Sequence, residues 1–302
     1  MDMKTQNRLP KYRRSKERFG PLQLTARDLE ILGLVHRYRH VWVDHLQALI
    51  PGSDRQLARR VQGLFHHAYL ARFVPPSRMR LQLGSPKMVY ALDTAGAKVL
   101  AEARGISLDE LGWHTSHNRR MEWFVEHQVM ISDFHAILEL ALSGHPDLRL
   151  DTWRQDKDLR GEVEIEYPDG DRMFRVAPDA HFAVIDGTAR RNFFLEIDRG
   201  TEEHRRLRAK FEAYRWYLAE GSGYHDDYEN SNDVRVLVVT TSEGRLDRML
   251  KTLADLDQRG KGLNQFWFTT ADRYDLSKTA SVLSPIWRTF RGNEAKTLFT
   301  AT

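Results

Sequence analysis

Apolar positions in the first hundred residues recur at helical spacing three times and then shorten into strand-like runs. Leu22 to Arg39 reads as a helix, with Thr25 as N-cap, Asp28 in the first turn, and Leu29, Ile31, Leu32, Leu34 and Val35 on its apolar side. Trp42 to Leu49 predicts a second, shorter helix, stopped by Pro51-Gly52. Ser53 or Asp54 then caps a third, Arg55 to His67, whose apolar Leu57, Val61 and Leu64 leave Arg55, Arg59, Arg60 and Gln62 on the remaining surface. Residues 70–74 and 87–92 read as strands, joined by the turn-rich PPSRMRLQLGSP with Arg78 and Arg80. A helix over Thr94 to Arg104, a polar connection over 105–117 and a long apolar-striped helix over Arg119 to Leu142 follow.

From residue 148 the period changes. LRLDTW, EVEIEY, MFRVA, HFAVI and NFFLEI alternate or run apolar, with turns at Pro168-Asp169-Gly170 and Asp186-Gly187. A helix (Thr201 to Ala219), a strand (234–239), a helix (Arg245 to Gln258) and a strand (Asn264 to Phe268) complete an α/β plan with a mixed sheet, α+β over the whole chain. The expected division is a flexible basic arm over 1–20, a first domain over 21–110, a second over 118–290 and a tail over 291–302.

With 302 residues the chain exceeds what one small core needs. It has no cysteine, which excludes disulfides, thiolate catalysis and Cys-ligated metal sites. No apolar run is long enough to span a membrane, and the basic N-terminus is not followed by the apolar stretch of a secretory signal, so a cytoplasmic location is expected. The net charge of +4 conceals an asymmetry: residues 1–110 hold 19 Lys and Arg against 10 Asp and Glu, the remainder 27 against 32. A cationic front end predicts a polyanion partner, here double-stranded DNA.

Three helices followed by a basic hairpin is the order of a winged helix-turn-helix, which sets its third helix in the major groove. Arg55, Arg59 and Arg60 on that helix and Arg78 and Arg80 at the hairpin tip are the candidate DNA-binding residues. The seven Lys and Arg of residues 1–20 read either as phosphate contacts or as a solvated tail.

Candidate chemistry lies at Pro178-Asp179 and Glu196-Ile197-Asp198. A two-residue hairpin loop at Gly187-Thr188 places Asp179 opposite Glu196, Cβ atoms about 5 Å apart, with Asp198 on the same face. Phe193, Leu195 and Ile197 then point into the other layer. Opposed carboxylates repel, and Mg²⁺ or Mn²⁺ held by Asp179, Glu196 and Asp198 is one use for them. A solvent-facing acidic strand end is the other reading.

Asp179 in a PD dipeptide, a hydrophobic strand ending in Glu196 and a helix carrying Lys210 and Tyr214 resemble the PD-(D/E)xK nuclease superfamily. More narrowly, the winged-helix order together with PDAHFAV, FFLEIDRGTE, KFEAY and the late SPIW resembles the plasmid replication-relaxation family, over roughly residues 20–288. The resemblance implies a DNA-binding protein of a plasmid or mobile element with a restriction-endonuclease-like second domain and Asp179, Glu196 and Lys210 as its catalytic set. The chain departs from the superfamily pattern where a lysine should follow the glutamate by two positions; Asp198 stands there, and Lys210 is the substitute. Lys210 lies nine residues beyond Thr201, about 13 Å along a helix, and reaches the carboxylates only if that helix crosses the sheet edge. A surface or helix-packing lysine is the alternative.

Two readings stay open: a Mg²⁺-dependent nicking or cleaving enzyme, and a non-catalytic winged-helix regulator or adaptor whose second domain supplies partner contacts or a homodimer. His181 on the face of Asp179 and Asp156 nearby are lesser candidates, while Trp216 and Tyr217 read as core. The absence of Walker, GxGxxG and GxSxG patterns sets aside nucleotide-driven and serine-hydrolase chemistry.

Overall fold

The computed structural model describes residues 13–17, 19–74, 88–119, 121–155, 159, 161–165, 172–218, 224, 228, 234–257, 263–292 and 294–299. The chain forms two compact units, residues 1–136 and 137–302.

The first unit runs α1 (Ala26–Tyr38), β1 (Val41–Trp42), α2 (Val43–Leu49), α3 (Asp54–His66), β2 (Leu70–Phe73), β3 (Val89–Leu92), α4 (Thr94–Arg104) and α5 (Leu108–Leu111), then enters the long helix α6 (Glu122–Ser143). Its strands form an antiparallel sheet in the order β1-β3-β2, with Val41 opposite Tyr90 and Phe73 opposite Val89. Three helices and this ribbon make a winged-helix arrangement. The apolar stripes of Ile31, Leu32 and Val35 on α1, Leu46 on α2 and Leu57, Val61 and Leu64 on α3 meet in one core. Asp28 fixes the start of α1 by accepting from the Thr25 backbone N–H at 2.7 Å and its hydroxyl at 2.8 Å. At Gly96 on α4 a Cβ would lie 2.1 Å from the Tyr69 carbonyl oxygen, so only glycine lets the helix lie this close to the entry of β2.

Of the stretch read as a flexible arm, residues 13–17, 19 and 20 are described, and Arg14 and Phe19 contact this unit. Arg14 donates to the carbonyls of Phe65 and Leu70, both at 3.1 Å, and pairs with Asp93, while Phe19 stacks on His66 at 4.1 Å. Arg14 thus adds a donor to the Phe65 carbonyl at the end of α3, which also accepts from the Ala68 N–H, and links it to the first residue of β2.

The second unit contains β4 (Leu148–Arg154), β5 (Gly161–Ile165), β6 (Arg172–Val176), β7 (Ala180–Asp186), β8 (Ala189–Ile197), α7 (His204–Tyr217), β9 (Val234–Thr240), α8 (Glu243–Leu256) and β10 (Phe266–Thr270). Five strands form a mixed sheet in the order β10-β9-β8-β7-β4, and β5 and β6 pair as a separate ribbon that packs on α7. β4, β7 and β8 are antiparallel neighbours; β8, β9 and β10 are parallel, joined by crossovers through α7 and α8. The mixed sheet agrees with the expected fold class. Apart from Arg235, β9 is apolar up to Val239 because both of its faces are buried. One sheet face packs Phe194, Val236, Val238 and Phe266 under Leu207, Phe211 and Tyr214 of α7 and Leu246, Met249 and Leu253 of α8.

Candidate functional site

β7 and β8 pair with Asp186 opposite Ala189 and Ala180 opposite Leu195, so the connecting loop is the two residues Gly187 and Thr188. Gly187 has φ 60°, the left-handed conformation such a loop requires. One step beyond Ala180 this register brings Asp179 level with Glu196. The Asp179 backbone N–H donates to the Leu195 carbonyl at 2.9 Å, and its carboxylate accepts from the Ile197 N–H at 2.7 Å. Asp179 therefore clamps the end of β8 while its charge lies beside that of Glu196.

Glu196 is buried, and each of its oxygens has a donor from α7. Lys210 Nζ lies 2.8 Å from Oε2, and the Tyr214 hydroxyl donates to Oε1 at 2.6 Å. Lys210 reaches because α7 begins at His204, not Thr201, which leaves it six residues into the helix, about 9 Å along the axis. Its ammonium also lies 3.8 Å from Glu202. Glu196, Asp198, Glu202, Lys210 and Tyr214 form the polar wall of a small cavity with room for about one water.

The electrostatics follow from burial and charge. Burial first, then the neighbouring Asp179 charge, raises the Glu196 pKa, against the opposing pull of Lys210. Burial works against the Lys210 ammonium, but the carboxylates of Glu196, Asp179 and Glu202 outweigh it and hold its pKa above the usual lysine range. Tyr214 is pushed well up by burial and by Glu196, so it stays a donor.

The structure thus brings Asp179, Glu196 and Lys210 together, and it engages Asp198 elsewhere. Arg245 from the first turn of α8 grips both Asp198 oxygens at 3.1 Å, and the Thr240 hydroxyl donates to Oδ2 at 2.7 Å. The same guanidinium donates to the Glu202 carbonyl at 2.6 Å, which ties down the connection leading into α7. Among the described residues no three His, Asp or Glu side chains converge as a metal-holding group. His181 is a buried ring between Phe194 and Tyr228, its pKa lowered to about 4 by burial and Arg190. Sequence reasoning missed Glu202, Thr240 and Arg245. Asp156 lies outside the described residues.

On the first unit, Arg55 and Arg59 are exposed on α3 with Gln56 and Gln62, one helical stripe pointing away from the core. Neither arginine has a hydrogen bond or ion pair among the described residues. Arg60 departs from the expected role: its guanidinium pairs with both oxygens of the fully buried Asp28 and donates to the Gln23 carbonyl, so it ties α3 to α1. Arg78 and Arg80 lie outside the described residues.

Fold and site together define an α+β chain in which a winged-helix unit precedes a mixed-sheet unit where half-buried Asp179 and Lys210 flank the buried Glu196. The chain belongs to the replication-relaxation family, whose model matches residues 32–234. Membership gives it a role related to replication or relaxation. No curated protein and no solved structure matches the chain. Among the described residues no helix is long and apolar enough to cross a membrane.

Proposed function

We propose that this chain grips duplex DNA of a plasmid or mobile element with the outer face of α3 and nicks or cuts a strand at a PD-(D/E)xK-like centre formed by Asp179, Glu196 and Lys210. The observation that carries this reading is the Lys210 ammonium 2.8 Å from Glu196, the helix-borne lysine that replaces the one missing at position 198. Mg²⁺ and Mn²⁺ accept one or two carboxylates with water and phosphate oxygens completing the shell, and the Asp179–Glu196 pair offers that donor set. Bound there, the ion supplies positive charge for the phosphate and a water of lowered pKa. Lys210, with its pKa raised, is a standing cation and not a base. It balances Glu196 and presents N–H donors toward an approaching phosphate oxygen. Tyr214 and the Ile197 N–H orient the two carboxylates.

A non-catalytic regulator or adaptor is the second reading, favoured by the donors already on both Glu196 oxygens and by Asp198 locked to Arg245. Calorimetric titration of Mn²⁺ into the wild type and Glu196→Gln, followed by incubation of both with supercoiled plasmid, separates the readings. Heat and nicking lost together in the variant support the enzyme. Nicking absent from the wild type in saturating Mn²⁺ leaves the regulator.

A further inference from the structure

We propose that the outer face of α7 is a second nucleic-acid surface, binding the sugar–phosphate backbone beside the carboxylate centre and independently of α3. The unit from 137 to 302 is acidic overall, with 25 Lys and Arg against 29 Asp and Glu. Within it, the fourteen residues of α7 hold Arg205, Arg206, Arg208, Lys210 and Arg215 against the single acid Glu212. Of these, Lys210 is engaged internally by Glu196, while the three arginines of the first turns face outward. Leu207, Phe211, Tyr214 and Tyr217 make the buried side, and Arg205, Arg206 and Arg208 are exposed. Arg205 and Arg206 have no hydrogen bond or ion pair among the described residues, and Arg208 has only Glu212 at 3.4 Å, an exposed pair of little energetic weight.

Arg205, Arg208, Arg215 and Trp216 fall within about 100° of one another around the helix, on a stripe about 16 Å long that also holds Glu212. That is roughly the axial rise of four to five nucleotides of a duplex strand. Arg206 is one turn before Lys210 and so flanks the centre itself. Guanidinium forks pair with phosphate oxygens two at a time, which suits a row of solvent-facing ones to a backbone. At the end of the stripe Trp216, expected in the core, is 37% exposed, with the Arg215 guanidinium 5.4 Å from its ring centroid. An exposed indole beside an arginine is a surface on which an unpaired base can stack.

This surface extends the DNA-binding part of the reading above and requires no cutting. The test uses the full chain and fluorescence anisotropy with a labelled duplex and a labelled single strand over a range of NaCl. R205A/R206A/R208A is expected to weaken binding at least tenfold at moderate salt. Its plot of log affinity against log salt should be shallower by about 2 to 3, near 0.9 per lost phosphate contact on duplex. The same loss should appear in an R55A/R59A background, which keeps failure of the α3 assignment distinguishable from failure of this one. W216A losing affinity for the single strand only marks a stacked base; equal effects on both forms mark a backbone contact, and both agree with the proposal. An R205A/R206A/R208A variant with wild-type circular dichroism and unchanged affinity and salt slope on both DNAs overturns it.

Discussion

Lys210 reaches back from the second turn of α7 to Glu196 on β8, so the most buried acid of the sheet unit is neutralised by the helix that follows its own strand. Removing the lysine leaves a carboxylate that water cannot solvate. Lys210→Met should therefore destabilise the unit by about 2 kcal/mol, below the cost for a fully buried pair because a third of the lysine side chain is exposed. Adding Glu196→Gln should restore most of the loss, and urea unfolding of the double-mutant cycle measures the coupling.

Tyr214 holds the other oxygen of the same carboxylate. Tyr214→Phe keeps the ring packing and deletes one donor to a buried anion, an expected cost of about 1–3 kcal/mol. If the centre cuts DNA, the variant should retain Mn²⁺ binding but cut more slowly, since Glu196 loses its fixed orientation. Unchanged stability and cutting would remove Tyr214 from the site.

The arginines of α3 should separate by role. Arg55→Ala with Arg59→Ala is expected to weaken duplex binding and flatten its salt slope by about 1.8 without changing thermal stability. Arg60→Ala should do the reverse, costing about 2 kcal/mol of folding stability because Asp28 is left buried and unpaired, with little change in salt slope. Anisotropy beside thermal melts tests both.

Acid should loosen the winged-helix unit through His40. Burial, with help from Arg39 and His117, lowers its pKa to about 3, and among the described residues neither ring nitrogen has a partner. The unfolded chain takes up that proton near pH 6.5, so stability falls as pH drops from 6.5 toward 3, by up to about 1.4 kcal/mol per pH unit. His40→Phe should flatten that slope in denaturant titrations at several pH values; an unchanged slope would remove His40 as the cause.

The register of the Asp179–Glu196 hairpin was legible because a two-residue loop at Gly187-Thr188 fixes every cross-strand pair beyond it, whereas burial alternation could not decide it, since Phe193 and Phe194 on opposite faces are both buried. The Lys210 contact was legible in direction only, since it depended on where the helix starts, which is His204 rather than Thr201. Asp198 and Arg60 could not be read locally. Their partners, Arg245 and Asp28, stand 47 and 32 residues away, and no periodicity connects an acid to a guanidinium on another element. Trp216 was misread because an aromatic at the end of an amphipathic helix has the composition of core, while its angular position is that of the arginines.

All members of the Asp179, Glu196, Lys210 and Tyr214 centre come from one short stretch of chain, a hairpin and the helix after it, whereas the Asp198 clamp needs Thr240 and Arg245. Short loops are cheaper to close than long ones, so the centre is the part of this unit whose assembly demands least of the rest. On the ribosome the whole centre emerges before Thr240 and Arg245, the two partners that complete the clamp. A change confined to residues 179–214 therefore reaches every polar group of the centre, whereas the Asp198 clamp is open to loss from β9 and α8 as well.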